Sequence, residues 1–323
     1  MEVNSMAKKK MILDLDTGID DALAIAYALT VPEADLIGVI GSYGNVLTPQ
    51  AVQNCLDLLD MLGHPEVPVF AGPTHSSTTT TFSVMPISQR IHGMNGVGDV
   101  SLPHSSRTAE QMSGRDFIIE AAHQYGDDLI VVPTDPLTTL AAAIKKDPAI
   151  THLIGNVTLM GGALTIPGNV TPATEANINQ DPVAANEVFQ SPLPLTMVGL
   201  DVTTRTLLTK KKTAQWRALG TTAGKKYAAI VDYYIDTYAD VHPHLNGCAL
   251  HDPLAVAVAV DPSLVTTLPL NMKVEVDGPC AGRTIGDEEL LDQSVHSQAA
   301  VNVDKERFEQ LFMTRLTALF QNN

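Results

Sequence analysis

The chain has 323 residues, 45% of them apolar, which is enough to fill the core of one large α/β domain or two small ones. A net charge of −16, from 20 Lys and Arg against 36 Asp and Glu, argues against a nucleic-acid partner, since displacing counterions from phosphates takes clustered basic residues. Cys55, Cys248 and Cys280 lie far apart without metal-ligand spacing and suit a reducing, cytoplasmic setting, and no apolar run approaches the roughly 20 residues that cross a bilayer.

Residues 1–10 lack an apolar stretch and read as a disordered leader, an upstream start or a cloning remnant, with residues 11–323 as a single domain. Met11, Ile12, Leu13 and Leu15 form a buried strand, which points Asp14 and Asp16 the same way at its C-terminal end. Gly18 makes the turn, and Ala22, Leu23, Ile25, Ala26 and Leu29 follow at helical spacing, so Asp20 and Asp21 fall in a first helical turn. The helix end offsets only about 0.3–1 kcal/mol per charge, whereas like carboxylates held together raise one another's pKa by units. A cation that prefers oxygen, calcium or magnesium, resolves that conflict.

Asp35–Gly41 reads as a second strand, apolar as in a parallel sheet covered on both faces. It ends in Ser42-Tyr43-Gly44-Asn45, which puts Asn45 on the same rim as the acids, where open α/β sheets bind ligands. An amphipathic helix over 50–62 and a short strand over Val67–Ala71 come next. Residues 72–107 form a long loop, Ser/Thr-rich from Thr74 to Ser83 and Gly-rich from Ile91 to Gly98, of the kind that serves as a lid. A helix over 115–125 precedes a strand over Asp128–Val132 that ends at Pro133-Thr134-Asp135.

A strand over His152–Met160 leads to Gly161-Gly162, Gly168-Asn169, Glu175-Ala176-Asn177 and Asp181-Pro182, with no dinucleotide fingerprint among them. Asn169, Glu175 and Asn177 offer the donors and acceptors that a hydroxyl-rich ligand needs. A strand over Leu195–Leu200 is followed by helices between 210 and 240, whose Tyr227, Tyr233, Tyr234 and Tyr238 have the spacing of core or interface residues. His251-Asp252-Pro253 opens an apolar helix with Asp252 as cap and as a fifth acid for the cation. The tail, Met272–Val276, Gly282–Ile285 and a helix from about Val303, reads as sheet completion and packing. The alternation of elements predicts an α/β fold: an open, mostly parallel, Rossmann-like sheet flanked by helices, with its site at the C-terminal ends of the strands.

In this order the motifs resemble the nucleoside hydrolases, the inosine-uridine preferring N-ribohydrolases: Asp-x-Asp-x-Gly-x-Asp-Asp over 14–21, His-Gly-x-x-Gly-x-Gly over 92–98, Glu-x-Asn over 175–177 and His251-Asp252. The chain departs from that family's usual residues at Thr17, where proline is common, at Asp135 for Gly and at Thr139 for Asn. The resemblance implies calcium-dependent splitting of ribonucleosides into ribose and free base. It assigns calcium to Asp16, Asp21, Asp252 and the Thr134 carbonyl, with Asp16 as the base that activates a calcium-bound water. It gives the ribose to Asp20, Asn45, Asn169, Glu175 and Asn177, with Asn45 also near the attacking water and His92 near the base or ribose. His251 becomes the acid for the leaving base, Asp14 a support behind Asp16, and one of Tyr227, Tyr233 or Tyr234 a stacking partner. It also implies a homodimer or homotetramer working in cytoplasmic purine and pyrimidine salvage.

Two other readings compete. Asp14-Leu15-Asp16-Thr17 also resembles the first motif of Mg-dependent haloacid dehalogenase-like phosphatases, with Asp14 as nucleophile, although no Lys motif leads to Gly286-Asp287-Glu288-Glu289. A non-catalytic nucleoside-binding protein would keep the pocket without turnover.

Overall fold

The computed structural model describes residues 8–323, so most of the leader expectation lies outside the described residues. Lys9 and Lys10 already pair within the first strand, two residues ahead of where apolar patterning starts it. The first half of the chain gives β1 (Lys9–Leu15), α1 (Ile19–Ala28), β2 (Ala34–Gly41), α2 (Thr48–Met61), β3 (Val69–Ala71), α3 (Pro86–His92), α4 (Gly114–Tyr125), β4 (Leu129–Pro133), α5 (Thr138–Lys146) and β5 (Asn156–Met160). Then come α6 (Ala176–Gln180), α7 (Pro182–Phe189), β6 (Leu195–Val198), α8 (Leu200–Thr203), β7 (Leu207–Leu208), α9 (Lys210–Ala218), α10 (Thr222–Val241), β8 (Cys248–Ala249) and α11 (His251–Val260). The last elements are β9 (Val265–Pro269), β10 (Met272–Val274), β11 (Thr284–Gly286), β12 (Ser297–Val303) and α12 (Lys305–Gln321).

Eight strands form one sheet in the order β3-β2-β1-β4-β5-β6-β12-β9, parallel throughout except for the β9 edge. Side-chain alternation along β1 builds both faces. Met11, Leu13 and Leu15 enter the layer with α1, α10, α11 and α12, and Ile12 enters the opposite layer with α4, α5 and α7. Strand order reverses at β1, which lies between β2 and β4, so the loops leaving these three strands diverge around a crevice. Among the described residues no helix is long and apolar enough to cross a membrane.

Three expectations are corrected. The 72–107 segment is not loop throughout: Pro86, as a first-turn residue, opens α3, which ends at Gly93 with φ +78°. The strand predicted from His152 begins at Asn156, because Asp147 caps a 3₁₀ turn over Pro148–His152. The tail strands β10 and β11 form their own hairpin, and the main sheet is completed by β12 and β9 instead. β9 is a half-exposed edge ending in Pro269, and β12 mixes Ser, Gln and Asn with small apolar residues, so neither carries a strong strand pattern.

Candidate active site

The acids converge because two buried helices begin at the same point. All ten residues of α1 are buried, as is nearly all of α11, and the two helices pack together. Their first turns bring Asp20 and Asp21 against Asp252, with one carboxylate oxygen from each inside a 4.8 Å group. Asp21 Oδ2 accepts the Gly18 N–H at 2.8 Å and Oδ1 accepts the Thr134 hydroxyl at 2.8 Å. Asp16 lies just past the end of β1, in contact with Asp21, and is gripped by Asn45, whose backbone N–H reaches Oδ2 at 2.8 Å and whose Nδ2 reaches Oδ1 at 2.7 Å. The tightest triad is thus Asp20, Asp21 and Asp252, with Asp16 adjoining it through Asp21.

Asp14 takes different surroundings from Asp16. Its Oδ1 accepts the Ser42 hydroxyl at 3.0 Å, and its carboxyl meets Thr139 and Asp135. Asp135 is fully buried with no donor on either oxygen, so the Asp14–Asp135 contact needs a proton between the two groups. Burial and then like charge raise the carboxyl pKa values here. Asp20 is pushed up to about 7 by burial first and Asp21 second. Asp16, Asp135 and Asp252 stand well above the ordinary range, through burial and then Asp21, Asp14 and Asp20 respectively. Asp20 Oδ1 and Asp14 Oδ2 also lack donors, and Asp20's one cationic-type neighbour among the described ion pairs is His92, Nδ1 at 3.9 Å. Buried carboxylates without Lys or Arg are costly unless a cation joins them, and an all-oxygen donor set suits a hard divalent ion. The residues present therefore fit a metal ion.

Across the cleft, Glu175 caps α6, accepting N–H groups of Asn177, Ile178 and Gly162 at 2.9–3.2 Å. Asn177 Nδ2 donates to the carbonyls of Thr134 at 2.9 Å and Met160 at 3.1 Å, which leaves its Oδ1 for a ligand. Asn169 Oδ1 accepts the Ala176 N–H at 3.0 Å. Asp20, Asn45, His92, Thr134, Asn169, Glu175, Asn177, His251 and Asp252 all line one cleft, whereas Asp14, Asp16 and Asp21 lie beneath it.

The cleft is also lined by the apolar and aromatic residues Met85, Ile87, Ile91, Tyr234, Tyr238 and His242, with Tyr234 beside Asp20 and His92. His251 Nε2 pairs with the Tyr238 hydroxyl at 2.7 Å and Nδ1 with the Thr203 hydroxyl at 2.7 Å. Burial, then the His242 charge, pushes His251 down to about 3, and burial, then His251, does the same to His92. Both rings are neutral at pH 7, and His92 Nδ1 accepts the Ile19 N–H at 3.1 Å. Of the three tyrosines considered for stacking, only Tyr234 lines the cleft. Tyr227 is buried and donates to Ala22 O, and Tyr233 donates to Arg90 O. Sequence reasoning missed Tyr238, Thr203 and Ser42 as partners of site residues. Tyr238 lies one helical turn beyond Tyr234, the one spacing that could have pointed to it.

A family model described as inosine-uridine preferring nucleoside hydrolase matches residues 11–310. The chain is 36% identical to Uridine nucleosidase 1 of Arabidopsis thaliana over 285 residues, covering 87% of this chain and 83% of that one. It is 31% identical to the pyrimidine-specific ribonucleoside hydrolase RihA of Escherichia coli over 308 residues, covering 95% and 97%. The solved structure of a purine-preferring ribonucleoside hydrolase from Gardnerella vaginalis superposes with a TM-score of 0.97 at 58% identity, covering 98% of this chain and all of that one. With acids, asparagines and histidines gathered at one cleft and these matches spanning nearly its whole length, the chain belongs to the inosine-uridine preferring nucleoside hydrolase family, enzymes that split the N-glycosidic bond of ribonucleosides.

Proposed function

We propose that this hydrolase cleaves ribonucleosides with calcium as its resident ion, and that it prefers purines. The observation that carries the reading is the convergence of the α1 and α11 N-termini, which buries Asp20, Asp21 and Asp252 together opposite Asn169, Glu175 and Asn177. Purine preference is supported by the 58% identity to the purine-preferring enzyme, against 31–36% to relatives named for uridine or pyrimidines.

Asp16, Asp21, Asp252 and the Thr134 carbonyl hold the ion, which when bound supplies the positive charge that makes a water molecule acidic near neutral pH. Asp16, fixed at both oxygens by Asn45, takes the proton from the attacking water as general base. The anomeric carbon gains positive character as the bond to the base lengthens, and the acidic rim stabilises it. Asp20, Asn45, Asn169, Glu175 and Asn177 hold the ribose hydroxyls, so 2′-deoxyribonucleosides leave donors and acceptors unpaired and react slowly. His251 is the proposed acid for the leaving base, with His92 second; its ring is neutral and both nitrogens are held, Nε2 by Tyr238 and Nδ1 by Thr203, so the proton would reach the base through the Tyr238 hydroxyl. Asp14, bonded to Ser42 and in contact with Thr139 and Asp135, keeps the proposed supporting role behind the strand end that leads to Asp16.

The same reading carries a homodimer or homotetramer in cytoplasmic nucleoside salvage, with residues 11–323 as one catalytic domain. Release of free base from inosine, adenosine, uridine, cytidine and deoxyuridine, with and without a chelator, tests it. Purine ribonucleosides should react fastest, and chelation should stop the reaction. Turnover that survives full chelation would refute the calcium assignment, and faster cytidine or uridine cleavage would refute the purine preference.

A further inference from the structure

The C-terminal hairpin of β10 and β11 does more than pack. Its second strand runs beside the loop that carries Asn169 into the cleft. Thr284 Oγ1 donates to Ala163 O at 2.9 Å and accepts the Ala163 N–H at 3.0 Å at one end of that loop, and Gly282 O accepts the Thr174 hydroxyl at 2.9 Å at the other. Between them the Arg283 guanidinium donates to Leu164 O at 2.6 Å, Ile166 O at 3.0 Å and Ala173 O at 3.4 Å. Arg283 forms no carboxylate ion pair among the described residues, so its fork is spent on three carbonyls from both limbs of one loop. From the opposite side Asp201 accepts the N–H groups of Leu164 at 2.9 Å and Thr165 at 2.7 Å.

We infer that Arg283 is a positioning residue for the ribose: it pins the 163–174 loop so that Asn169 is held at the hydroxyl it serves, taken to be the 5′ hydroxyl. This rests on the proposed role of Asn169 in holding a ribose hydroxyl. The guanidinium matters because its planar donors reach carbonyls that face each other across the loop, and a residue with one point donor cannot bridge them. Near the tip the limbs are joined by the Gly168 N–H to Pro172 O at 3.2 Å and the Val170 N–H to Thr174 O at 3.2 Å, so losing the guanidinium frees the base of the loop and lets this tip, with Asn169, shift against Ala176, whose N–H Asn169 accepts at 3.0 Å.

The test compares kcat/KM for inosine and 5′-deoxyinosine in the full-length wild-type enzyme, Arg283→Ala, Arg283→Lys and Asn169→Ala. Asn169→Ala and Arg283→Ala should each slow inosine about tenfold while changing 5′-deoxyinosine less than about twofold, with Arg283→Lys between. A residue with a purely structural role would slow both substrates by the same factor, and that result for Arg283→Ala overturns the inference while Asn169→Ala still discriminates. Equal effects of Asn169→Ala on both substrates would instead remove the reading of Asn169 itself, and the inference with it. If Arg283→Ala does not fold, Arg283→Lys carries the same comparison, and a uniform effect on both substrates overturns the inference there too.

Discussion

Gly44 sits where Asp16 and Asn45 meet, and replacing it with alanine should disable the enzyme while leaving it folded. A Cβ built there lies 1.9 Å from Asp16 Oδ2 and 2.7 Å from Asp16 Cγ, roughly 1.5 Å short of ordinary van der Waals contact. The backbone adds a second penalty, since φ is +155°, a region only glycine occupies freely, at about 1–3 kcal/mol for another residue. Relief comes most directly by moving the Asp16 carboxylate, which gives up the 2.8 and 2.7 Å bonds from Asn45. A displacement of about 1 Å in a catalytic base costs on the order of 10²-fold in rate. Gly44→Ala should therefore lower kcat/KM for inosine by about 10²-fold, read by free-base release. Gly126→Ala is the control: its φ of +52° carries a left-handed penalty of about 1–2 kcal/mol, but nothing lies within 4 Å of the added methyl. Thermal denaturation should show both variants folded, with the larger loss in Gly44→Ala, and activity falling only in that variant. A fully active Gly44→Ala enzyme would show that Asp16 does not need the Asn45 grip.

Asp16→Asn keeps the shape of the site and removes the base, so kcat should fall by about 10³-fold with inosine binding changed far less, as steady-state kinetics and calorimetry would show. Near-normal turnover in that variant would return the base to another residue. In chelator, Asp20→Asn should melt about 5 °C above wild type near pH 8, with the gap falling to about half near pH 5.5 and closing only below about pH 4. The sign follows from a folded pKa of about 7 against an ordinary 3.8: folded Asp20 holds a proton that the unfolded chain releases, so metal-free stability rises as pH falls through that window. A melting difference that ignores pH would contradict it.

Much of the site is legible in the sequence because its acids sit next to chain features with strong local rules. Gly18 and the apolar run after it place Asp20 and Asp21 in a first helical turn, and Pro253 does the same for Asp252. The apolar runs of β1, β2 and β4 likewise announce a buried parallel sheet. What stayed hidden depends on contacts between distant segments. No local pattern says that Thr203 and Tyr238 flank His251, or that Arg283 ties a loop more than a hundred residues earlier in the chain. Asp135 shows the same limit from the other side. As a departure from the family's glycine it was visible, but its contact with Asp14 follows from the pairing of β1 with β4, which brings Asp14 opposite Pro133. Asp14 and Asp16, expected on one face, part company because Asp16 falls beyond the last strand residue, Leu15.

The central claim is that widely separated acids share one ion with Asp16 among its ligands. Anomalous diffraction from crystals grown in millimolar calcium should show a single peak bonded to Asp16, Asp21, Asp252 and the Thr134 carbonyl. An empty cluster under those conditions, or a peak held by Asp20 with Asp16 left out, would contradict it.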